Sequence, residues 1–301
     1  MAFEADTWIS AQVPVGDSYL HVREAGSGPP VLFLHGNPTS SFLWRDVAAR
    51  LTGQGRRLLA VDLIGMGDSG KPDIAYGLAD HARYLDGFVE ALGLADLTLV
   101  GHDWGVALAL DHLRRHPERV RAVAFLEGHL RPLPGWDAFD AGGRALFQAL
   151  RAPGTGERLA LEENVLIEAV LPAGMNRRLT PGELDVYRRP YPDPASRRPL
   201  LRWTREIPVA GDPADVARLL TGATEALAGS PVPKLLVHGR PGAVVDAATV
   251  AWCRATFPRL TVADVGESSH FLPEDRPAEV AAAIAGWWGG GEAPGGPALR
   301  G

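Results

Sequence analysis

Asp103 stands between two glycines, at a point where a carboxylate could act as a nucleophile. Residues 101–105 read Gly-His-Asp-Trp-Gly, which fits the G-x-S-x-G turn between a strand and a helix with aspartate in the serine position. A carboxylate is ionised at neutral pH, so it needs no base to attack a saturated carbon, and the attack forms an alkyl ester. The alternative interpretation is an aspartate that only caps the next helix. The motif predicts covalent catalysis through Asp103, provided that a base and an acid accompany it.

His270 is the candidate base. It lies in the run Ser-Ser-His-Phe at residues 268–271, directly after a predicted strand that ends at Val265. Its order after the nucleophile and the acid is that of the α/β-hydrolases. His35 and His102 also adjoin motifs, but neither has this order or loop position. We therefore predict that His270 activates water.

The acid that orients the base is a choice between two residues. Many hydrolases of this layout carry it in a G-x-x-D pattern after a late strand, but residues 239–242 read Gly-Arg-Pro-Gly. Asp246 comes four residues later and is poorly placed. Glu127 ends the strand that follows the elbow helix and is the better candidate, although it could instead pair with an arginine. The sequence favours Glu127.

Asn37 and Trp104 are the candidate neutral hydrogen-bond donors of the site. In this kind of fold the loop at residues 35–38, His-Gly-Asn-Pro, supplies one oxyanion-hole N–H, and the residue after the nucleophile, Trp104, supplies the other. The side chains of Asn37 and Trp104 add N–H donors. Such donors suit a departing anion that must be held without being protonated.

A glycine-rich loop at residues 65–70 matches G-x-G-x-x-G, but Lys71 and Pro72 follow and no helix opens there. Phosphate binding needs that helix N-terminus, so we predict a tight loop only. The sequence contains no H-E-x-x-H motif and no Cys/His cluster, and we predict no metal site.

Strands alternate with helices in the way that predicts a doubly wound, mostly parallel sheet. All the candidate residues except Trp104 follow or end predicted strands, so they should meet at the carboxyl edge of the sheet. The predicted strands are 18–23, 31–34, 58–61, 97–100, 120–126, 234–237 and 261–265, and the clearest helices are 78–92, 106–115 and 277–287.

Residues 131–212 are predicted to form an all-helical cap inserted into an α/β core of residues 1–130 and 213–301. Helical patterns there lack intervening buried strands, and arginine pairs recur; we interpret these pairs as solvated faces. The cap would cover the carboxyl edge of the sheet and exclude water. Residues 289–301 are rich in Gly and Pro and are predicted to be a disordered tail.

Composition bounds the class of protein. The 301 residues are 46% hydrophobic and 22% charged, as in ordinary globular proteins. The net charge of −6 argues against nucleic acid or an anionic membrane as a partner. One cysteine, Cys253, fits a reducing compartment, and no signal peptide or stretch of about 20 apolar residues is visible. We expect a cytoplasmic protein that acts on a small molecule.

With these motifs together, the chain resembles the haloalkane dehalogenases from about Pro14 to Trp287. Glutamate at 127 with asparagine at 37 resembles the second subfamily. The resemblance implies that Asp103 is the nucleophile, that His270 and Glu127 are base and acid, and that Asn37 and Trp104 clamp the halide. It also implies a cofactor-free reaction of a haloalkane with water. The matching segments are 35–40 (His-Gly-Asn-Pro-Thr-Ser), 43–45 (Leu-Trp-Arg), 65–69 (Gly-Met-Gly-Asp-Ser), 101–105, 125–127 (Phe-Leu-Glu) and 269–271 (Ser-His-Phe).

The resemblance also implies a pocket wall in and near the cap. At three positions where relatives carry bulky aromatic residues, this chain has Gly142, Leu166 and Val170. These smaller side chains predict a different, roomier pocket. The predicted wall residues are Phe139, Phe147, Leu166, Val170, Trp203, Ile207 and Phe271.

Three other functions stay open. An epoxide hydrolase would use the same aspartate but needs acidic phenols in the cap, where Tyr187 and Tyr191 are the only tyrosines. A cofactor-free luciferase on this scaffold would share the nucleophile, base and acid. A hormone-receptor-like binding protein is the non-enzymatic alternative, and the intact triad argues against it. We expect a monomer, with a dimer as the alternative.

Overall fold

The computed structural model describes residues 8–290 and centres on one sheet of eight strands. The spatial order is β1-β2-β4-β3-β5-β6-β7-β8; β1 and β2 pair antiparallel to their neighbours, and every pair from β4 to β8 is parallel. The predicted α/β-hydrolase fold is confirmed. The strands are β1 (Ile9–Val15), β2 (Ser18–Ala25), β3 (Pro30–Leu34), β4 (Arg57–Val61), β5 (Leu97–His102), β6 (Val120–Leu126), β7 (Lys234–Pro241) and β8 (Leu260–Ser268).

Helices cover both faces of the sheet, whose central strands are therefore almost wholly apolar. All six residues of β5 are buried, as expected for a parallel strand with helices on both sides. The helices are α1 (Arg45–Leu51), α2 (Leu78–Ala91), α3 (Trp104–Arg115), α4 (Ala141–Arg151), α5 (Thr155–Glu157), α6 (Leu171–Ala173), α7 (Pro181–Arg188), α8 (Arg198–Glu206), α9 (Ala214–Gly229), α10 (Ala247–Thr256), α11 (Leu272–Asp275) and α12 (Pro277–Gly290).

The sheet brings the candidate loops together because β3, β5 and β6 are neighbours. Leu34 of β3 is in register with Gly101 of β5, and His102 with Leu126 of β6. The loops after these strands carry Asn37, Asp103 and Glu127 at one edge of the sheet.

The sequence missed one strand and misjudged the ends of others. β1 was not predicted, since five of its seven residues are exposed and its alternation is weak. β7 and β8 each run at least three residues past their predicted ends, to Pro241 and Ser268. At the C-terminus, Gly289 and Gly290 end α12 instead of opening the predicted tail, the rest of which lies outside the described residues.

Residues 136–206 contain helices α4 to α8 and two π-helical segments, Arg158–Glu162 and Leu166–Val170. No strand of the sheet falls between β6 and β7. The boundaries of the cap at residues 131 and 212 remain a prediction. Among residues 8–290, no helix has the length and apolar character that crossing a membrane requires.

A network of ion pairs, centred on the buried Arg45 and Glu274, joins α7 and the segment before it to the core. Arg45 of α1 pairs with Glu274 of α11 at 2.6 Å, and both side chains are at most 3% exposed. Glu274 also accepts from Arg177 and from the hydroxyl of Tyr187, while Arg177 pairs with Glu183 at 2.9 Å. Arg177, which belongs to one of the arginine pairs, therefore helps to attach α7 to the core. For this arginine, the interpretation as a solvated face was wrong.

Candidate active site

Asp103 is held in a strained turn between β5 and α3. Its backbone has φ 52° and ψ −123°, a conformation that costs a non-glycine residue about 1–3 kcal/mol. The flanking glycines make the turn possible, because a Cβ on Gly105 would lie 2.2 Å from the carbonyl oxygen of Leu34 and one on Gly101 2.7 Å from that of Gly105. The side chain is 7% exposed. The structure thus presents a buried carboxylate at the predicted elbow.

The two carboxylate oxygens of Asp103 have different surroundings. Oδ1 accepts a hydrogen bond of 2.7 Å from the backbone N–H of Asn37. Gly36 must be a glycine, since a Cβ there would lie 2.1 Å from this oxygen. Oδ2 instead faces histidine side chains. The held oxygen suits the carbonyl of an ester, and the other suits attack.

His270 lies between the two carboxylates. Its Nε2 is 3.6 Å from Oδ2 of Asp103, and its Nδ1 is 3.6 Å from Oε2 of Glu127. The loop after β8 is fixed from behind, because Nε2 of His102 lies 2.8 Å from the carbonyl oxygen of His270. The three predicted residues therefore meet in the expected order, at ion-pair distances.

Glu127 is held by the backbone of the loop after β7, where many hydrolases of this layout carry the acid. It accepts from the N–H groups of residues 243, 244 and 245 at 3.0, 2.7 and 3.3 Å. Asp246, the alternative acid, accepts from the N–H of Thr249 at 2.7 Å and caps α10. The geometry supports Glu127 as the partner of His270.

Charge pairing decides the protonation states. Burial would raise the pKa of Asp103, but the neighbouring His270 lowers it to about 2. Burial would also raise the pKa of Glu127, yet His270 and the N–H groups of the 243–245 loop lower it. Burial alone would lower the pKa of His270, but its contacts with Asp103 and Glu127 raise it to about 9. At neutral pH the resting site holds two carboxylates and one imidazolium.

The predicted clamp residues, Asn37 and Trp104, both line a cavity that opens on Asp103. Trp104 begins α3, and its ring stacks on Trp203 with centroids 4.7 Å apart. The amide nitrogen of Asn37 lies 3.2 Å from the carbonyl of Leu200 and 3.3 Å from Oγ1 of Thr204, both on α8. An amide has two N–H donors, and both of these acceptors from the cap lie near this one nitrogen.

A cavity of about 260 Å³ opens on Asp103. Six of the seven predicted wall residues line it. Trp203 does not: it is fully buried behind Trp104, between that ring and His81. Gly142 does not line it either. The lining residues are Asn37, Pro38, Asp103, Trp104, His129, Ala138, Phe139, Asp140, Gly143, Phe147, Leu166, Val170, Gly174, Thr204, Ile207, Ala243, Val244, His270 and Phe271.

Three polar residues of this wall were not predicted, namely Asp140, Thr204 and His129. Thr204 follows Trp203 in α8. Consecutive residues of a helix point in different directions, and here Thr204 lines the cavity whereas Trp203 does not. His129 comes two residues after Glu127, and its Nε2 is 3.5 Å from Oδ2 of Asp103. A histidine so close after the acid, at the carboxyl edge of the sheet, was a signal that the sequence contained.

Elsewhere, two groups of side chains in the described part of the chain could hold a metal ion, and neither borders the cavity. Their atoms already pair with one another or with arginine: Asp86 pairs with Arg115 and His112, and His21 with Asp62. The two groups are Asp86, His112 and His116, and His21, Asp62 and Asp68.

The glycine-rich loop at 65–70 is a tight loop, and the next helix, α2, begins only at Leu78.

The chain matches known proteins over most of its length. A family model described as the alpha/beta hydrolase fold matches residues 29–277. The chain is 46% identical to a haloalkane dehalogenase of Mesorhizobium japonicum over 280 residues, which are 92% of this chain and 90% of that protein. A haloalkane dehalogenase of Bradyrhizobium diazoefficiens is 44% identical, with 94% of each chain covered. The chain belongs to the haloalkane dehalogenase family.

Solved structures agree with this membership. The haloalkane dehalogenase DbeA from Bradyrhizobium elkani superposes with a TM-score of 0.92 at 42% identity, covering 94% of this chain and 98% of that one. The haloalkane dehalogenase DatA from Agrobacterium tumefaciens gives a TM-score of 0.90 at 40% identity, covering 94% and 96%. The predicted resemblance to haloalkane dehalogenases is confirmed.

Proposed function

We propose that this protein hydrolyses haloalkanes to an alcohol, a halide ion and a proton through an alkyl ester on Asp103. The observation that carries the proposal is the buried, ionised Asp103 on a mostly apolar cavity, with one oxygen held by the N–H of Asn37 and the other facing His129 and His270. This arrangement serves a displacement at carbon, in which the carboxylate itself must be the nucleophile.

In the first step, Oδ2 of Asp103 attacks the carbon that bears the halogen. The new C–O bond forms as the C–halogen bond breaks, and the halide leaves with the electron pair. The N–H groups of the Asn37 amide and of the Trp104 indole would hold the developing anion. Because the cavity is mostly apolar, water screens these contacts weakly, and they are worth more than in bulk water.

In the second step, water attacks the ester carbon and His270 takes its proton. Esterification removes the charge of Asp103, which is one of the two charges that raise the pKa of His270. Formation of the ester should therefore lower the pKa of His270, which favours the neutral imidazole that acts as the base. The N–H of Asn37 already faces Oδ1, the oxygen that carries negative charge in the tetrahedral intermediate. When the intermediate collapses, the alkoxide leaves and takes the proton from His270 to form the alcohol, and Asp103 loses its remaining proton to become a carboxylate again.

The epoxide hydrolase alternative loses support in this geometry. Opening an epoxide creates an alkoxide that needs an acid, and the hydroxyl of Tyr187 is instead donated to Glu274. Neither Tyr187 nor Tyr191 is among the residues that line the cavity. The luciferase alternative differs in needing oxygen, so oxygen uptake with an imidazopyrazinone substrate distinguishes it.

For the remaining properties we keep the expectations from the sequence. The substrate is a small haloalkane and the co-substrate is water. We propose a cytoplasmic monomer that uses no organic cofactor or metal; the single, buried Cys253 and the acidic net charge of −6 support the location and the lack of a nucleic-acid partner.

The direct test is halide release from 1-bromobutane by the purified protein, with butanol formed in equal amount. Asp103→Ala should abolish release, and Asp246→Asn, which alters only the cap of α10, should retain it. Wild-type protein that releases no halide from several bromoalkanes would contradict the proposed activity. Turnover by Asp103→Ala would contradict the role of Asp103.

A further inference from the structure

His129 places a second imidazole against the nucleophile. Its Nε2 is 3.5 Å from Oδ2 of Asp103, as close as Nε2 of His270 at 3.6 Å. Both rings border the cavity. Oδ2 is the oxygen that becomes alkylated, so both histidines lie beside the ester that the proposed reaction forms.

The position of His129 is fixed by packing. Its ring packs against the ring of Trp104, with centroids 4.9 Å apart, and its side chain is only 8% exposed. The preceding Gly128 allows the close approach of the chain, because a Cβ there would lie 2.1 Å from Cγ2 of Val106. A buried polar ring in a mostly apolar wall, directed at the reacting carboxylate, calls for a chemical role.

The two imidazoles rest in different protonation states. Burial lowers the pKa of His129, the charge of Asp103 opposes this, and the charge of His270 adds to it. His129 is therefore neutral at neutral pH, whereas His270 is protonated. Beside the anionic carboxylate the single proton of His129 is favoured on Nε2. Conversion of Asp103 to an ester removes that preference, and Nε2 can then accept a proton.

We propose that His129 is a second general base for hydrolysis of the alkyl ester on Asp103, acting in parallel with His270. Water forms a bond to the ester carbon as Nε2 of His129 takes its proton. The bond between Cγ and Oδ2 of Asp103 then breaks, and the leaving alkoxide, which carries Oδ2 away, takes the proton from the imidazolium. Asp103 is left as a carboxylic acid and loses its proton at neutral pH. This inference rests on the proposed function.

The test uses His270→Phe, in which the ester accumulates and His129 is the remaining imidazole beside it. After a single exposure to 1-bromobutane, intact-protein mass follows the decay of the ester. We expect His270→Phe/His129→Phe to decay at least about tenfold more slowly, since a positioned general base contributes about 10²–10⁴-fold. His270→Phe/His238→Asn removes an imidazole outside the site and should decay like His270→Phe.

His270→Phe/His129→Gln distinguishes a base from a hydrogen-bond donor, because glutamine donates but does not accept a proton at this pH. It should decay as slowly as the double phenylalanine variant. Decay at the His270→Phe rate, in either double variant, would overturn the proposal, as would an ester in His270→Phe that does not decay. A normal burst of halide in each variant shows that the first step is intact; a missing burst in His270→Phe would instead count against the proposed function.

A second readout keeps the proposal testable if the double variants fold poorly. Since the pKa of His129 lies below its ordinary value, it remains a base at pH values where His270 is protonated. His129→Gln alone should therefore lose ester hydrolysis at mildly acidic pH more steeply than the wild type. Superimposable pH profiles would overturn the proposal.

Discussion

Gly242 lies so close to the carboxylate of Glu127 that a Cβ added to it would be 2.8 Å from Oε1. Its φ of +73° also favours glycine. The tight turn at Gly242 directs the N–H groups of the next three residues at Glu127. The loop that bears the acid in many related hydrolases here binds an acid supplied by the neighbouring strand.

Glu127→Gln should lower turnover by about 10⁴-fold, the scale seen when the acid of a histidine–carboxylate pair becomes an amide. The amide would present N–H groups to backbone N–H groups and would no longer balance the imidazolium. Steady-state halide release measures the effect. Asp246→Asn, the matched control, should change turnover little. The opposite ranking of the two variants would move the acid to the later strand.

The clamp can be tested by separating the two steps. Asn37→Ala and Trp104→Phe should each slow carbon–halogen cleavage by about 2.7–4 kcal/mol, the cost of losing one donor to developing charge. Rapid-quench measurement should show ester hydrolysis much less affected. If the burst rate is unchanged in both variants, the two side chains only pack.

Thr204→Val tests whether the cap competes for the Asn37 amide. The hydroxyl of Thr204 lies 3.3 Å from the amide nitrogen, so its removal leaves that nitrogen freer to meet a halide. We expect the dissociation constant for bromide, read from quenching of tryptophan fluorescence, to fall or stay unchanged. A large weakening would mean that Thr204 holds the amide in its binding orientation.

The protonation state of His270 depends on Asp103. Removing that charge in Asp103→Asn should lower the pKa of His270 from about 9, as NMR titration of the imidazole can measure. Because the pKa of His270 is higher in the folded protein (about 9) than in the unfolded chain (6.5), its protonation stabilises the fold. This stabilisation is complete below pH 6.5 and is lost as the pH rises to about 9. The stability advantage of the wild type over Asp103→Asn should therefore shrink across that range. An unchanged pKa would contradict the electrostatic account.

The sheet and its catalytic edge were predictable because they follow from strong local signals. Short apolar runs such as Leu97–Val100 can only be buried strands when they alternate with helices, and parallel strands end at one edge. Glu127, Asp103 and His270 could thus be brought together from their order alone. β1 was missed because an edge strand carries few buried residues.

The cap was less predictable. When a helix is buried on several sides, its sequence does not show which residues face the cavity and which face the core. Most of α8 is buried, including both Trp203 and Thr204, and only the packing shows that Thr204 faces the cavity while Trp203 supports Trp104. His129 was missed for a different reason. Its role depends on its distance from Asp103, which its place in the sequence indicates only once Glu127 is accepted as the acid.

The central claim is that Asp103 forms an ester that His270 helps to hydrolyse, and His270→Phe tests it most directly. A carboxyl group is ionised at neutral pH without a base, and in this variant the N–H of Asn37 and the ring of His129 still face Asp103. The variant should therefore still release one halide per active site from 1-bromobutane. Turnover should then fall to the slow decay of the ester, and the mass of the protein should rise by one butyl group in place of a hydrogen, located on Asp103. A mechanism in which the base activates the nucleophile predicts that the first step is blocked. Absence of both the burst and the mass increase would contradict the account.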